Sequence, residues 1–397
     1  MNTRLTDEQG ALRDLVRELA DDKVAPRAAE IDASMEFPWD MVRLLAAHDV
    51  FALSFPVELG GLGADLLTLC VCIEQLSRAC ATTGLILAVQ ALGATPLLLA
   101  GTHEQKQRWV PDLASGKTLA AFALTESEAG SDAAAARTRA VRDGDGWRID
   151  GSKRFISHGS VAGVVAVFAV TDSDPAAVRA HRHLTCFHVE QGMAGFATAR
   201  LEHKMGIRGS PTAELTFDSV SLPDANRIGE VGEGWSLAMR TFDRSRPGIA
   251  AQAVGIAQGA LEVASRYAAE RKQFGRPIAN FQMVGAMLAD MATRTEAARQ
   301  LLYTACEEIE ADASGTAGGG HAAGGSSARW AAMAKLFCGD TAMAVTTDAV
   351  QVLGGYGYIT EYPVERMMRD AKITQLYEGT QQVQRLIIAK DLIASLR

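Results

Sequence analysis

Three observations predict an α+β fold. Apolar residues recur at helical spacing up to about residue 118, and short runs of β-branched and aromatic residues broken by Gly, Asp, Asn and Pro follow. Helical spacing returns after Gly234 and lasts to the end. The expected architecture is an N-terminal helical domain (1–120), a middle antiparallel domain resembling a β-barrel (121–230) and a C-terminal four-helix bundle (231–397). The two helical parts are expected to share one core, with the sheet inserted between them.

In chain order, the first helix is predicted from Asp7 to Val24. Leu12, Leu15, Val16 and Leu19 lie on one face, Thr6 is its N-cap and Pro26 is its stop. Asp65–Ala79 and Leu85–Leu99 have few polar interruptions and read as helices covered on several sides. The glycines from Gly60 to Gly63 mark a turn-rich connection. Asp143-Gly144-Asp145-Gly146 between two short strands is a hairpin signal, and Val164–Val170, His183–Glu190, Phe196–Leu201 and Ala213–Ser219 read as further strands. Trp235–Arg271 carries a stripe of Ala and Gly that permits close helix approach, and Met283–Ala311 and Ala328–Leu353 continue the bundle. Ser314–Ser327, almost entirely Gly, Ala and Ser, reads as a surface loop.

Composition narrows the function classes. The chain has 397 residues, 48% hydrophobic and 22% charged, with a net charge of −8. These values exclude collagen-like, disordered and disulfide-scaffold proteins, and the acidic balance argues against nucleic acid or an anionic membrane as a partner. A membrane helix needs about 20 apolar residues. Val161–Val170 is too short, and Leu85–Ala100 is interrupted by Gln90, Gly93, Thr95 and Pro96. The polar N-terminus does not resemble a secretory signal, so a cytoplasmic location is expected. Of six cysteines only Cys70 and Cys72 are close, at a spacing that fits neither zinc nor redox chemistry, so buried reduced thiols are expected. The histidines show no metal spacing, and no metal is expected.

Dinucleotide, phosphate-loop, serine-hydrolase and zinc-protease signatures are all missing. Four segments stand out instead. Phe122–Asp132 reads as a strand ending in a loop with hydroxyls, acids and Gly130. Lys153–Gly159 places Phe155 and Ser157 on one face of a strand. Glu270–Gly275 ends a long helix with Arg271, and Gln282 lies beyond it. Gln351–Gln382 contains Gly354-Gly355 and Tyr377-Glu378-Gly379-Thr380. Taken singly, each has an ordinary explanation: a capping loop, core packing, a cation at a helix end, a glycine C-cap.

In this order, within an α–β–α layout, the segments resemble the acyl-CoA dehydrogenase family of flavoenzymes, from about Leu5 to Ile393. The resemblance is densest in Phe122–Asp132, Met205–Thr216, Phe242–Pro247, Arg271–Gly275 and Gln351–Arg385. It implies FAD as cofactor. Phe122, Leu124, Thr125, Gly130 and Ser131 would line one side of the flavin, with Phe155 and Ser157 against its ring. Arg271, Gln273, Phe274, Gln282, Gln351, Gly354, Gly355, Thr380 and Gln382 would bind the dinucleotide, partly across a subunit boundary. Arginine suits this because its guanidinium makes two parallel bonds to phosphate.

The resemblance also implies an activity: removal of two hydrogens from Cα and Cβ of an acyl thioester, giving the trans-2-enoyl product. Glu378 is the implied base for the α proton, and Gly379 lets the backbone approach the substrate. Some relatives carry the base on the segment Phe242–Pro247, where this chain has Ser245. Ser131, Asp243 and Arg246 match substrate-contacting positions, and Leu85, Ala88, Val89 and Ile249 match the acyl pocket. Met205–Ser210 looks most like short- and branched-chain members. The implied partners are an acyl-CoA or acyl-carrier thioester, an electron-transfer flavoprotein as acceptor, and three further copies in a homotetramer (a dimer of dimers). An acyl-carrier-protein-linked dehydrogenase of secondary metabolism, an oxidase on the same fold and a non-catalytic scaffold stay open as alternatives.

Overall fold

The computed structural model describes residues 5–313, 326–394 and 396. The predicted loop 314–327 therefore lies almost wholly outside the described residues.

Helix α1 (Asp7–Leu19) opens on a capping box in which the Gln9 amide donates to Thr6 Oγ1 and the Thr6 amide to Gln9 Oε1. Pro26 does not stop the chain from coiling. It falls in the first turn of a short 3-10 segment, Ala25–Arg27, where its missing N–H has no helical role, and α2 (Ala28–Ser34) follows directly. Then come α3 (Trp39–Ala47), α4 (Leu66–Ala79), α5 (Ala81–Ala100) and α6 (His103–Ala114). Helix α5 is longer than predicted, and by length and composition it could cross a membrane. Most of its most apolar window is buried inside the protein, which accounts for its hydrophobicity.

The middle region holds β1 (Ala120–Ala123), β2 (Arg139–Asp143), β3 (Gly146–Ser157), β4 (Val164–Val170), the short α7 (Pro175–Arg179), β5 (Leu184–Glu190), β6 (Phe196–Leu201), β7 (Thr212–Pro223) and β8 (Arg227–Ile228). The hairpin predicted at Gly144-Asp145 joins β2 to β3, with Gly144 left-handed. The strand order is β6-β7-β3-β2-β4-β5-β8, with β1 pairing in parallel to β4. The sheet curls over a core that includes Trp147, Phe187, Phe196 and Phe217, but the expected barrel is not closed and the pairing is mixed rather than purely antiparallel. Closure would require β6 to bond β8. The latter is two residues long, and its Arg227 carbonyl, with that of Ala225 in the turn before it, accepts from Gln105 of α6 instead.

The chain then forms α8 (Gly234–Glu270), the hairpin β9 (Lys272–Gln273) and β10 (Arg276–Pro277), α9 (Gln282–Ala313), α10 (Ser327–Leu353), α11 (Val364–Ile373) and α12 (Gln381–Ala394). As predicted, the two helical parts share a core. Val16, Ile73 and Leu76 pack in one cluster with Val254, Leu302 and Val345. The small-residue stripe allows this: a Cβ on Gly255 would stand 2.3 Å from the carbonyl oxygen of Glu74, so α8 lies directly on α4. All six cysteines are free and buried.

Candidate active site

Glu378 lies in the turn between α11 and α12. Its φ is 53° and that of Gly379 is 89°, so two successive residues are left-handed. A side-chain-bearing residue is held there only when its surroundings fix it. The carbonyl of Glu378 accepts from Arg246 Nε (3.3 Å) and Gln384 Nε2 (3.1 Å). That of Gly379 accepts from Gln384 Nε2 (2.9 Å) and Lys335 Nζ (2.8 Å). Helices α8, α10 and α12 thus grip the turn together.

The Glu378 carboxylate accepts a 2.6 Å bond from Ser245 Oγ. The residue keeps partial solvent exposure, but the protein packed around the carboxylate strips most of its hydration. Burial pushes its pKa up to about 7, against the opposing pull of the Ser245 hydroxyl, Arg246 and Lys335. A carboxylate in that state is both ionisable near neutrality and a stronger base than an exposed one. Among the described residues its own backbone amide has no acceptor. Arg246, 4% exposed, pairs with Asp243 at 3.5 Å and lies over the Phe242 ring, which meets Phe122 of β1. Burial lowers the Arg246 pKa and raises that of Asp243. This chain of contacts brings Phe122, Asp243, Arg246 and Glu378 to one place, where the sheet meets α8. The resemblance gives Asp243 and Arg246 to the substrate; here Arg246 also supports the Glu378 turn. Leu85, Ala88, Val89 and Ile249 are buried in the α5 and α8 helices.

A second grouping joins the end of β1 to β3. The Arg154 amide donates to the Thr125 carbonyl (2.9 Å), and Lys153 Nζ donates to the Leu124 carbonyl (2.9 Å) and Glu126 Oε1 (2.7 Å). Glu126 also accepts from the amides of Arg137 and Thr138. Burial raises the Glu126 carboxyl, but Lys153 and these amides outweigh it and hold it below the usual range; burial pushes Lys153 down to about 8, so the pair is ionised at neutral pH. The pair anchors both ends of the exposed loop carrying Gly130 and Ser131. Phe155 departs from simple alternation. The β3–β7 register slips between Lys153 and Ile156, and Phe155 takes φ 58° with 57% of its surface exposed. The hydroxyls of Thr125 and Ser157 have no partner among the described residues.

A third grouping forms a separate cavity of about 570 Å³, lined by Arg271, Gln273, Gly354 and Gly355 with Tyr267 and Tyr356. Arg271 stacks over Tyr356, and a Cβ on either glycine would meet open space. Phe274, at the tip of the β9–β10 hairpin, is 94% exposed; Gln282 and Gln351 are exposed on nearby helix ends, whereas Gln382 is exposed at the start of α12, beside the Glu378 turn. Thr380 instead caps α12, accepting from the Val383 amide. Arg246 and Arg271 are both on or next to α8, 25 residues apart, which is about 37 Å along the helix. One chain therefore does not bring the Arg271 cavity and the Glu378 turn together.

Sequence reasoning missed Lys153, Glu126, Lys335 and Gln384. The signal for Lys335 was available: it lies at helical spacing with Ala331, Ala334, Cys338 and Ala342, all buried, so it is a lone cation on a core-facing stripe.

Family models match almost the whole chain: acyl-CoA dehydrogenase N-terminal domain over residues 6–117, middle domain over 121–220 and C-terminal domain over 232–393. A short-chain-specific acyl-CoA dehydrogenase of Clostridium acetobutylicum is 44% identical over 98% of this chain and 99% of its own length. A chain in a structure of the electron transferring flavoprotein of Acidaminococcus fermentans is 42% identical with a TM-score of 0.93, covering 99% of this chain and 100% of its own. A glutaryl-CoA dehydrogenase of Mycobacterium smegmatis, solved in complex with FADH2, is 27% identical with a TM-score of 0.88, covering 98% of this chain and 95% of its own.

Proposed function

This chain belongs to the acyl-CoA dehydrogenase family and is an oxidoreductase acting on CH–CH groups, and from that premise we propose that it desaturates a short or branched acyl-CoA with Glu378 as the α-proton base. The observation that carries the assignment is the desolvated carboxylate of Glu378, shifted to about 7 and held in a left-handed turn. An acyl thioester is a weak acid at Cα. A buried carboxylate takes that proton better than a hydrated one, and the free amide of Glu378 can donate to the thioester carbonyl as enolate charge develops. The short-chain assignment follows the Clostridium relative and the Met205–Ser210 stretch.

The residues present fit FAD. Unpartnered hydroxyls at Thr125 and Ser157, the exposed ring of Phe155 and the loop bearing Gly130 and Ser131 offer donors and a stacking surface for a flavin. Arg271, Gln273, Gly354 and Gly355 offer a guanidinium and open backbone for a pyrophosphate. Bound FAD would supply the hydride acceptor that the side chains lack. The 37 Å separation along α8 exceeds what one dinucleotide spans. The Arg271 cavity of one copy therefore serves the cofactor at another copy's Glu378 turn, and exposed Phe274 suits that contact. An electron-transfer flavoprotein is the proposed acceptor, in keeping with the Acidaminococcus neighbour.

The test is anaerobic titration of the purified protein with acyl-CoAs of increasing length. A short acyl-CoA should bleach the flavin absorbance, and Glu378→Gln should stay yellow and unbleached. A Glu378→Gln protein that is reduced at the parent rate removes the base assignment.

A further inference from the structure

We propose that Lys335 is a positioning residue for the base, a buried cation that holds the Glu378–Gly379 turn and favours the ionised carboxylate. The inference rests on the reading of Glu378 as the base.

Lys335 sits about a third of the way along α10 with its side chain wholly enclosed. Burying an ammonium is costly unless hydrogen bonds and opposite charge compensate it. The hydrogen bonds are visible: Nζ donates to the Gly379 carbonyl and to Gln381 Oε1 at 3.1 Å. Among the described residues no carboxylate touches it, so its counter-charge acts through space. The charged and polar groups around the turn are Ser245, Arg246 and Asp243 from α8, Lys335 and Asp340 from α10, and Tyr377 beside the base. Arg246 is paired with Asp243 and Asp340 with Arg385. Of the charges acting on Lys335, Glu378 favours its protonated form most. Burial lowers Lys335 to about 8, which leaves it charged at neutral pH. One side chain therefore does two things at the turn. It ties down a carbonyl of the left-handed pair, and it places positive charge behind the carboxylate that must ionise before it can accept a proton.

The experiment compares Lys335→Gln and Lys335→Met with the parent as flavin-loaded full-length proteins. The rate of anaerobic flavin reduction by a saturating short acyl-CoA is followed from about pH 6 to pH 9. Glutamine keeps a donor for the Gly379 carbonyl but no charge. It should move the midpoint of the pH profile up by about one unit, the lower end of what a nearby opposite charge gives, while the plateau at high pH stays near that of the parent. Methionine lacks the donor too and should show the same shift with a lower plateau. A Lys335→Gln profile superimposable on the parent overturns the proposal. So does loss of flavin from both variants, which would make Lys335 a support of the fold alone. Glu378→Gln separates the two layers: if it is still reduced, the base reading fails. If it is inert while the Lys335→Gln midpoint is unmoved, only the inference about Lys335 fails.

Discussion

Replacing Ser245 by alanine tests the electrostatics of the site through one bond. Ser245 Oγ is 2.6 Å from Glu378 Oε2, at the short end for a hydroxyl donating to a carboxylate, and such charge-assisted bonds contribute roughly 1.5–3 kcal/mol. The bond is stronger to the ionised form than to the neutral one. Losing about 1.5 kcal/mol of it raises the carboxyl pKa by about one unit, since one unit corresponds to about 1.4 kcal/mol. From a starting value of about 7, Ser245→Ala would titrate near pH 8. At pH 7 the ionised fraction falls from about half to about one tenth, so flavin reduction should slow about fivefold. At pH 9 both proteins are almost fully ionised and their rates should converge. Single-turnover reduction by stopped flow, with the acyl-CoA saturating at each pH, reads both limbs. Equal rates at pH 7 would refute the reasoning. A fivefold loss that persists at pH 9 would also refute it, because the hydroxyl would then be acting on substrate or fold instead of on the ionisation of Glu378.

Two further outcomes concern stability. Lys153→Met leaves the Glu126 carboxylate buried without its cation, and breaking one side of such a pair costs about 3–5 kcal/mol; the variant should melt lower and release flavin more readily, read as a rise in flavin fluorescence, and adding Glu126→Gln should restore part of the loss. Asp370, buried with its carboxylate on the Ile207 amide, is pushed by that burial up to about 6. Its folded pKa lies above the unfolded one, so the stability it contributes is complete below about pH 4 and is lost as pH rises through 6, about 3 kcal/mol in all. Asp370→Asn keeps an acceptor for Ile207 and should be the more stable protein at pH 7, with the advantage vanishing near pH 4 in urea titrations; an advantage that does not change with pH would contradict the assignment.

The succession of helix, sheet and helix was legible from the spacing of apolar residues in elements buried on one side and from the scarcity of polar residues in those, such as α4, covered on several. The Gly144-Asp145 turn was legible for a local reason too, since a two-residue hairpin needs a left-handed residue. What was not legible depends on distant partners. Nothing near Pro26 says that the chain keeps coiling, and the β8 carbonyl of Arg227 is covered by Gln105, more than a hundred residues away in sequence. Phe155 looked like one member of an alternating pair because period two cannot register an extra residue in one strand. The resemblance already placed the dinucleotide groups partly across a subunit boundary, and the length of α8 between Arg246 and Arg271 agrees with that division.

The two buried lysines follow a common physical logic. Regular strands and helices satisfy their own carbonyls, but a strand that has just ended and a pair of left-handed residues do not. The Leu124 carbonyl ends β1 and the Gly379 carbonyl sits in the turn before α12, and each receives an ammonium projected from a rigid element, Lys153 from β3 and Lys335 from α10. A neutral donor could fill either hydrogen bond, but it could not also balance the charge of Glu126 or Glu378. That double demand selects lysine over glutamine. It also explains how both cations are tolerated with their side chains wholly enclosed: each is held by irregular backbone that no regular element would satisfy.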